Sequence, residues 1–381
     1  MPWKQREIFD MRSEAVTQAL NHEKSKADIC RFFNISRPTL DKWIRRYQEE
    51  GASGLHDCSR RPHSQPKRTS ETHTDLILAT RAKFLCWGAK KLREFLINEG
   101  ETDLPSTSTF NRVLKRHHKI TSEASSKSQK FVRFEREEPM ELLQMDFKGH
   151  FSLEEGRCHP LTVIDDHSRY VLCLQGCLSE NRESVQDALT AVFRTYGLPK
   201  QMTMDNGPPW KGAHPFRLSR LTVWLIRLGI DVRHSRPYHP QTQGKDERFH
   251  RSLKEEVLKL NQFRDLYEAQ LAFDEWLEVY NTLRPHEGIG MKRPVDLFRP
   301  SDREFPEKLP TIEYGEGDEV RKVTSCGTIN YNGKRYYVGE HLIGEYVAVR
   351  PTTRKDALGI FFFNSIVGWV PLTGQKITGN M

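Results

Sequence analysis

Between residues 140 and 234 the apolar pattern changes period in an order that few folds accommodate. "MELLQMDF", "HPLTVIDD" and "RYVLCLQGCL" are three strand-like runs at hairpin spacing. A helical run "RESVQDALTAVFRTYG", a fourth strand "KQMTMDNG", a second helical run "PFRLSRLTVWLIRLG" and a short strand "IDVRHS" follow, and a long helix "RDLYEAQLAFDEWLEVYN" comes later. Strands that meander and then alternate with helices predict an α/β domain with a mixed sheet flanked by helices.

The chain around this domain has a different texture. Net charge is +9 over residues 1–130 and −1 over residues 131–381, so the basic excess is N-terminal, where nucleic acid is the first partner to consider. In "SKADICRFFNISRPTLDKWIRRYQEEG", Ala27, Ile29, Phe32 and Phe33 predict one apolar helix, "NIS" a turn, and Ser36 a cap for a second helix with Pro38 in its first turn. This is a helix-turn-helix pattern. Leu40, Trp43, Ile44 and Tyr47 pack inward, which leaves Arg37, Thr39, Lys42, Arg45 and Arg46 for a major groove and its phosphates. An ordinary helical hairpin with a solvated basic face accounts for the same segment about as well.

A Pro-, Ser- and base-rich stretch, His56 to Ser70, reads as a linker, and a second helical unit follows. There Ser106 is a cap, Phe110, Val113 and Leu114 form the apolar stripe, and Asn111, Arg112, Lys115 and Arg116 alternate with it, the first three as candidate DNA-contacting residues. "SEASSKSQ", Ser122 to Gln129, marks a further boundary. From Tyr314 onward short runs of β-branched and aromatic residues alternate, and Asn332-Gly333 signals a type I′ hairpin, which predicts a small all-β barrel or sandwich.

Three carboxylates are candidates for chemistry. Asp146 ends the first strand of the α/β domain and Asp205 the fourth, although for each taken singly turn chemistry is the commoner reading. The third comes from "YHPQTQGKDERFHRSLKEE", where Pro240 and Gly244 bracket a loop and a helix starts at about Gly244. Asp246 leads to Phe249, His250 and Leu253, an inward stripe; Glu247 leads to Arg251 and Lys254 on the exposed face. The alternative role for Glu247 is an ordinary surface pair with Arg251. Convergent carboxylates suit hard divalent cations, and two such ions can activate an attacking oxygen and stabilise a leaving one in phosphoryl displacement, with Arg251 and Lys254 holding the phosphodiester.

"LLQMDF", "TMDNGPPW" and above all "YHPQTQGKDERFHRSLKEE" resemble the core of DDE-type insertion-sequence transposases, relatives of retroviral integrases. The resemblance implies a ribonuclease H-like fold with Asp146, Asp205 and Glu247 as catalytic and metal-holding residues, and Mg²⁺ or Mn²⁺, two ions, as cofactor. It implies water-driven cutting at the element ends, followed by attack of the freed 3′-hydroxyl on target DNA. It implies terminal inverted repeats and target DNA as partners, a homodimer or larger assembly on DNA, and contact of Arg251 and Lys254 with DNA ends. "DDHSR", Asp165 to Arg169, matches a recurring feature of that core and is given a structural role. The 42 positions from Asp205 to Glu247 exceed the retroviral spacing, which suggests an insertion near "WKGAHPFRLSR".

The expected organisation is thus a multidomain chain with all-α, α/β and all-β parts. A helix-turn-helix domain spans 1–54, a basic linker 55–70, a second helix-turn-helix domain 71–120 and a linker 121–135. The ribonuclease H-like core spans 136–300 and a β-barrel domain 310–381. Seven scattered cysteines without a CxxC pair argue against a disulfide framework or a zinc module. No apolar signal core or membrane span is read, so a cytoplasmic, nucleoid-associated bacterial protein is expected. The rival expectations are a non-catalytic DNA-binding regulator and a metal-dependent nuclease on the same fold.

Overall fold

The computed structural model describes residues 8–57, 69–120, 136–205, 210, 218–234 and 244–372. It divides into two compact units, Met1–Arg68 and Thr69–Met381, each taken by itself below.

In the first unit α1 (Ile8–Leu20), α2 (Lys26–Phe33) and α3 (Arg37–Glu50) are followed by a 3₁₀ turn, Gly51–Leu55. Ser25 caps α2 by accepting from the Asp28 amide, and Asn34 ends it at φ 52°, a left-handed conformation that Asn tolerates. That single residue makes the tight turn into α3. Ala15, Ala19, Ile29 and Leu40 form one core cluster, and Val16, Trp43 and Leu55 a second. The Arg12 guanidinium lies 4.0 Å from the Trp43 ring centre. Two expectations change. Phe32 is exposed, because its position on α2 faces away from this small core. Ser36 stands at the N-cap of α3 without capping it by its side chain, since its hydroxyl pairs with Thr39 Oγ1 at 2.8 Å.

The second unit opens with α4 (Glu71–Lys83), α5 (Ala89–Asn98) and α6 (Thr107–Arg116). Ser106 caps α6 as expected, and Phe110, Val113 and Leu114 are buried. They join Ile77, Leu92 and the stacked Phe84–Trp87 pair, whose ring centres are 3.9 Å apart.

The sheet that follows contains β1 (Leu142–Phe147), β2 (Phe151–Leu153), β3 (Gly156–Asp165), β4 (Val171–Cys177), β5 (Gln201–Met204) and β6 (Asp231–His234). β3 pairs antiparallel with β1, β2 and β4, while β1–β5 and β5–β6 are parallel, so the sheet is mixed. β2 was not anticipated. It continues the edge of β1 along β3 after one extra residue, with Gly149 at φ 83° in the intervening bend. Asp205 therefore follows the fifth strand and not the fourth.

Helices cover both faces. α7 (Arg182–Tyr196) and α8 (Arg220–Arg227) bury Leu189, Phe193 and Leu225 against Leu143, Met145 and Met202. α9 (Gly244–Leu253) and α10 (Leu266–Glu278) bury Phe249, Leu253 and Phe273 against Ile164, Val171 and Leu174. Both helices run on as π-helical turns, Lys254–Leu258 and Val279–Leu283, and a short α11 (Pro294–Leu297) follows.

At the C-terminal end β7 (Glu319–Lys322), β10 (Tyr346–Arg350), β11 (Ala357–Phe362) and β12 (Ser365–Pro371) form an antiparallel sheet in the order β12-β11-β10-β7. β8 (Thr328–Tyr331) and β9 (Lys334–Tyr337) form a separate hairpin. Asn332 at φ 47° and Gly333 at φ 74° supply the expected type I′ turn. The barrel, however, is not formed by these pairings: among the described strands the four-stranded sheet stays open at β12 and β7.

The second π-helical turn is tied to the sheet by Asn281, which is buried and exchanges two 3.0 Å hydrogen bonds with the backbone N–H and C=O of Val171. Asn281→Ala should leave both groups unpaired and cost about 2–4 kcal/mol. Urea unfolding followed by tryptophan fluorescence checks this, and a loss below about 1 kcal/mol would contradict the accounting.

Candidate active site

β1 and β5 run parallel with Met145 opposite Met204, so the next residues, Asp146 and Asp205, stand side by side at the carboxyl ends of adjacent strands. Such ends are where an α/β sheet presents groups to a ligand. Asp146 is partly buried and Asp205 exposed. Burial first, and then the negative charge of Asp205, push the Asp146 carboxyl up to about 7, with smaller contributions in the same direction from Glu180 and Glu247. Sequence reasoning had no signal for Glu180, which follows β4 in sequence and pairs with His159 Nδ1 at 2.9 Å.

The four acids of the motif segment separate cleanly. Asp246 is buried, 2% exposed, on the stripe with Phe249 and Leu253 as expected, and one of its carboxylate oxygens has no hydrogen-bond partner. Burial, with Asp146 and Asp166 nearby, holds its pKa well above the usual carboxylate range. Glu255 pairs with Lys259 at 2.7 Å on the surface. Glu256 is committed to structure: it accepts from Trp276 Nε1 at 3.0 Å and pairs with the buried guanidinium of Arg284. Glu247 is the exposed acid, with Arg251 and Lys254 also exposed, although Lys254 opens the π-helical turn and is not on the α-helix that its spacing suggested.

The three carboxylates expected to converge do not form one cluster in this structure. Among the described residues no three His, Cys, Asp or Glu side chains are grouped tightly enough to hold a metal ion. The structure pairs Asp146 with Asp205 and keeps Glu247 within electrostatic reach of Asp146. Residues 239–243 of the "HPQTQG" loop, Asn206 and Gly207, and most of "WKGAHPFRLSR" lie outside the described residues, as do the linker at 121–135 and most of that at 55–70.

Polar ties around α9 were not visible in the sequence. Lys245 pairs with the buried Asp166, and His250 Nε2 lies 3.0 Å from Thr162 Oγ1, which donates to the Asp146 carbonyl at 3.0 Å. Burial, and then the charge of Lys148, hold the His250 imidazole down at about 4. "DDHSR" does have a structural role. Asp165 accepts from the amides of Met140 and Ser168 and from the Ser168 hydroxyl, and Asp166 accepts from the Arg136 amide.

Of the nominated DNA-contacting residues, Arg37, Lys42 and Arg45 are exposed on α3, and Asn111, Arg112 and Lys115 on α6. Thr39 is partly buried. Arg46 is turned inward, donating to the His56 carbonyl at 2.9 Å and lying 4.9 Å from the Trp43 ring centre. No helix among the described residues is long and apolar enough to cross a membrane.

Because burial and like charge raise the Asp146 pKa, its stabilising contribution belongs to the protonated form. That contribution is present below the usual 3.8 and is lost as pH rises through about 7. Asp146→Asn should therefore stabilise the divalent-free protein by about 1–3 kcal/mol near pH 8, with the difference shrinking toward pH 4. Thermal unfolding across that range checks it; an Asn variant no more stable than wild type at the alkaline end would contradict the electrostatics.

Residues 136–240 and 228–294 each match an integrase core domain family, and residues 318–378 match the C-terminal domain of the IS481 family of transposases. Residues 11–63 match a helix-turn-helix domain and residues 39–114 a homeodomain-like domain. An insertion element IS407 protein of Burkholderia multivorans is 25% identical over 159 residues, 42% of this chain and 55% of that protein. A putative transposase for insertion sequence element IS5376 of Geobacillus stearothermophilus is 23% identical over 190 residues, 47% of this chain and 45% of that protein. The chain thus spans about half the length of the curated relatives it matches. Among solved structures, the simian T-cell lymphotropic virus intasome aligns at a TM-score of 0.37 and 16% identity, covering 78% of this chain and 100% of that one. The HTLV-2 integrase catalytic core in complex with magnesium aligns at 0.33 and 17%, covering 42% and 97%. With integrase core, helix-turn-helix and transposase C-terminal domain matches in one chain, this protein carries an integrase core domain and is similar to insertion-sequence transposases.

Proposed function

We propose that this chain binds the terminal inverted repeats of its own mobile element and catalyses metal-dependent 3′-end cleavage and strand transfer into target DNA. The observation that carries the reading is the parallel register of β1 and β5, which sets Asp146 and Asp205 side by side with the Glu247 charge within reach. In this reading residues 1–54 and 71–120 are DNA-binding domains joined by a basic linker at 55–70. Residues 136–300, after a linker at 121–135, are a ribonuclease H-like core, and 310–381 is a β domain, a barrel if its open sheet is completed. Arg37, Lys42 and Arg45 on one helix, and Asn111, Arg112 and Lys115 on another, face DNA, with Thr39 and Arg46 supporting the first of these surfaces.

The donor set fits a hard divalent cation. Asp146, Asp205 and Glu247 offer only oxygen, and the burial and like charge that raise the Asp146 carboxyl are offset by a bound cation. These three residues would hold Mg²⁺ or Mn²⁺, two ions, and ions so bound activate an attacking oxygen and stabilise a leaving one. Arg251 and Lys254 lie beyond Glu247 on the exposed side and hold the phosphodiester by charge. Neither step needs a covalent protein intermediate. Joining two ends requires at least two copies of the chain on DNA.

The test is a Mg²⁺-dependent joining assay on DNA carrying the element's ends, comparing wild type with Glu247→Gln. The expected outcome is a fall in joining of at least about a hundredfold with end binding retained, since the amide keeps the shape and removes the charge. Cutting without joining by the wild type would favour a nuclease. Specific binding without either would favour a regulator.

A further inference from the structure

We propose that Lys245 and His250 are positioning residues that clamp the helix carrying Glu247 onto the strand carrying Asp146, with Thr162 as the middle link of the second clamp. The inference rests on the transposase reading above and names the devices that set the geometry of its site.

The first clamp lies two residues before Glu247. The Lys245 ammonium pairs with the Asp166 carboxylate and donates to the Asp166 carbonyl at 3.0 Å. Asp166 is 1% exposed and also accepts from Gln144 Nε2 at 2.7 Å, and Gln144 lies on β1 two residues before Asp146. The second clamp lies three residues after Glu247. His250 Nε2 meets Thr162 Oγ1 at 3.0 Å, and Thr162 is fully buried, directly opposite Asp146 in the β1–β3 ladder. A threonine hydroxyl has one hydrogen and a carbonyl can only accept. The Thr162 proton is therefore committed to the Asp146 carbonyl at 3.0 Å, and His250 must donate from Nε2.

Both clamps end on β1, at positions 144 and 146, which share a face of the sheet. Apolar contact from Phe249 and Leu253 attaches α9 to the sheet but is non-directional. Hydrogen bonds on either side of Glu247 resist sliding and rotation of the helix, which apolar packing alone resists poorly. An ångström of misplacement at a reacting centre can cost about a hundredfold in rate. Thr162 is the informative position because it is fully buried and its hydroxyl meets a backbone carbonyl and an imidazole.

The experiment uses the full chain as wild type, Thr162→Val and Thr162→Ser. It measures joining on the element's own ends across a Mg²⁺ titration, alongside end affinity and thermal unfolding. Histidine ¹⁵N spectra of the DNA-free wild type report the tautomer of His250, assigned by its loss in His250→Gln. The expected result is an Nε2–H imidazole, wild-type end affinity in both variants, and joining by Thr162→Val slowed roughly tenfold to a hundredfold with a higher Mg²⁺ requirement. Thr162→Ser should restore both. An Nδ1–H tautomer, joining by Thr162→Val at the wild-type rate and Mg²⁺ dependence, or a loss that serine does not restore would each overturn the clamp while leaving the transposase reading intact. Absence of joining by the wild type would remove that reading and the inference with it.

Discussion

The pairing of β1 with its two neighbours is the constraint on which the rest of the structure depends. β3 holds β1 antiparallel on one side and β5 holds it parallel on the other, so β1 cannot shift register without breaking both ladders. A one-residue slip would also turn its buried Leu143 and Met145 to the opposite face. That rigidity places Asp146 beside Asp205 at the sheet's carboxyl edge. The electrostatic strain on Asp146 is a consequence of the backbone pairing, held in place by the apolar layers on both faces.

Glu247 reaches the same neighbourhood by a different route. It sits on a helix, and helices are set against sheets by side chains, without backbone ladders. The inward stripe of α9 supplies adhesion through Phe249 and Leu253, and the Lys245–Asp166 pair with the His250–Thr162 contact supplies direction. Below this, Glu256 spends its carboxylate on Trp276 and Arg284, fixing the π-helical turn that ends the helix. Polar groups buried without partners are costly, so these contacts are specific or absent. Among the described residues Asp246 Oδ1, Gln144 Oε1 and Arg284 Nε are local exceptions, buried without a hydrogen-bond partner.

Much of this was legible because period, caps and turns are local properties. The switch from helical to alternating spacing announced the mixed sheet, Ser106 announced a helix start, and Asn332-Gly333 announced a hairpin. Asp246 and Glu247 were separated as inward and outward by spacing alone. What escaped depends on tertiary placement. Phe32 reads as core in any helical stripe, and only the small size of the first unit leaves it outside. β2 is three residues long, too short for an alternation to show. The π-helical turns contain no proline or glycine to mark them. Barrel closure concerns which strands meet at an edge, and composition carries no trace of it. The clamps join residues up to 88 positions apart, and no spacing rule pairs a histidine with a threonine across that distance.

The central claim is that Asp146, Asp205 and Glu247 act on one phosphodiester through bound cations. Its most direct test is a structure of the full chain on its own end DNA with Mn²⁺, read by the anomalous signal of the metal. The account predicts Mn²⁺ between the Asp146 and Asp205 carboxylates, with Glu247 as a ligand and the terminal phosphate beside Arg251 and Lys254. Metal bound elsewhere, or at this edge without contact to Asp146, would contradict it.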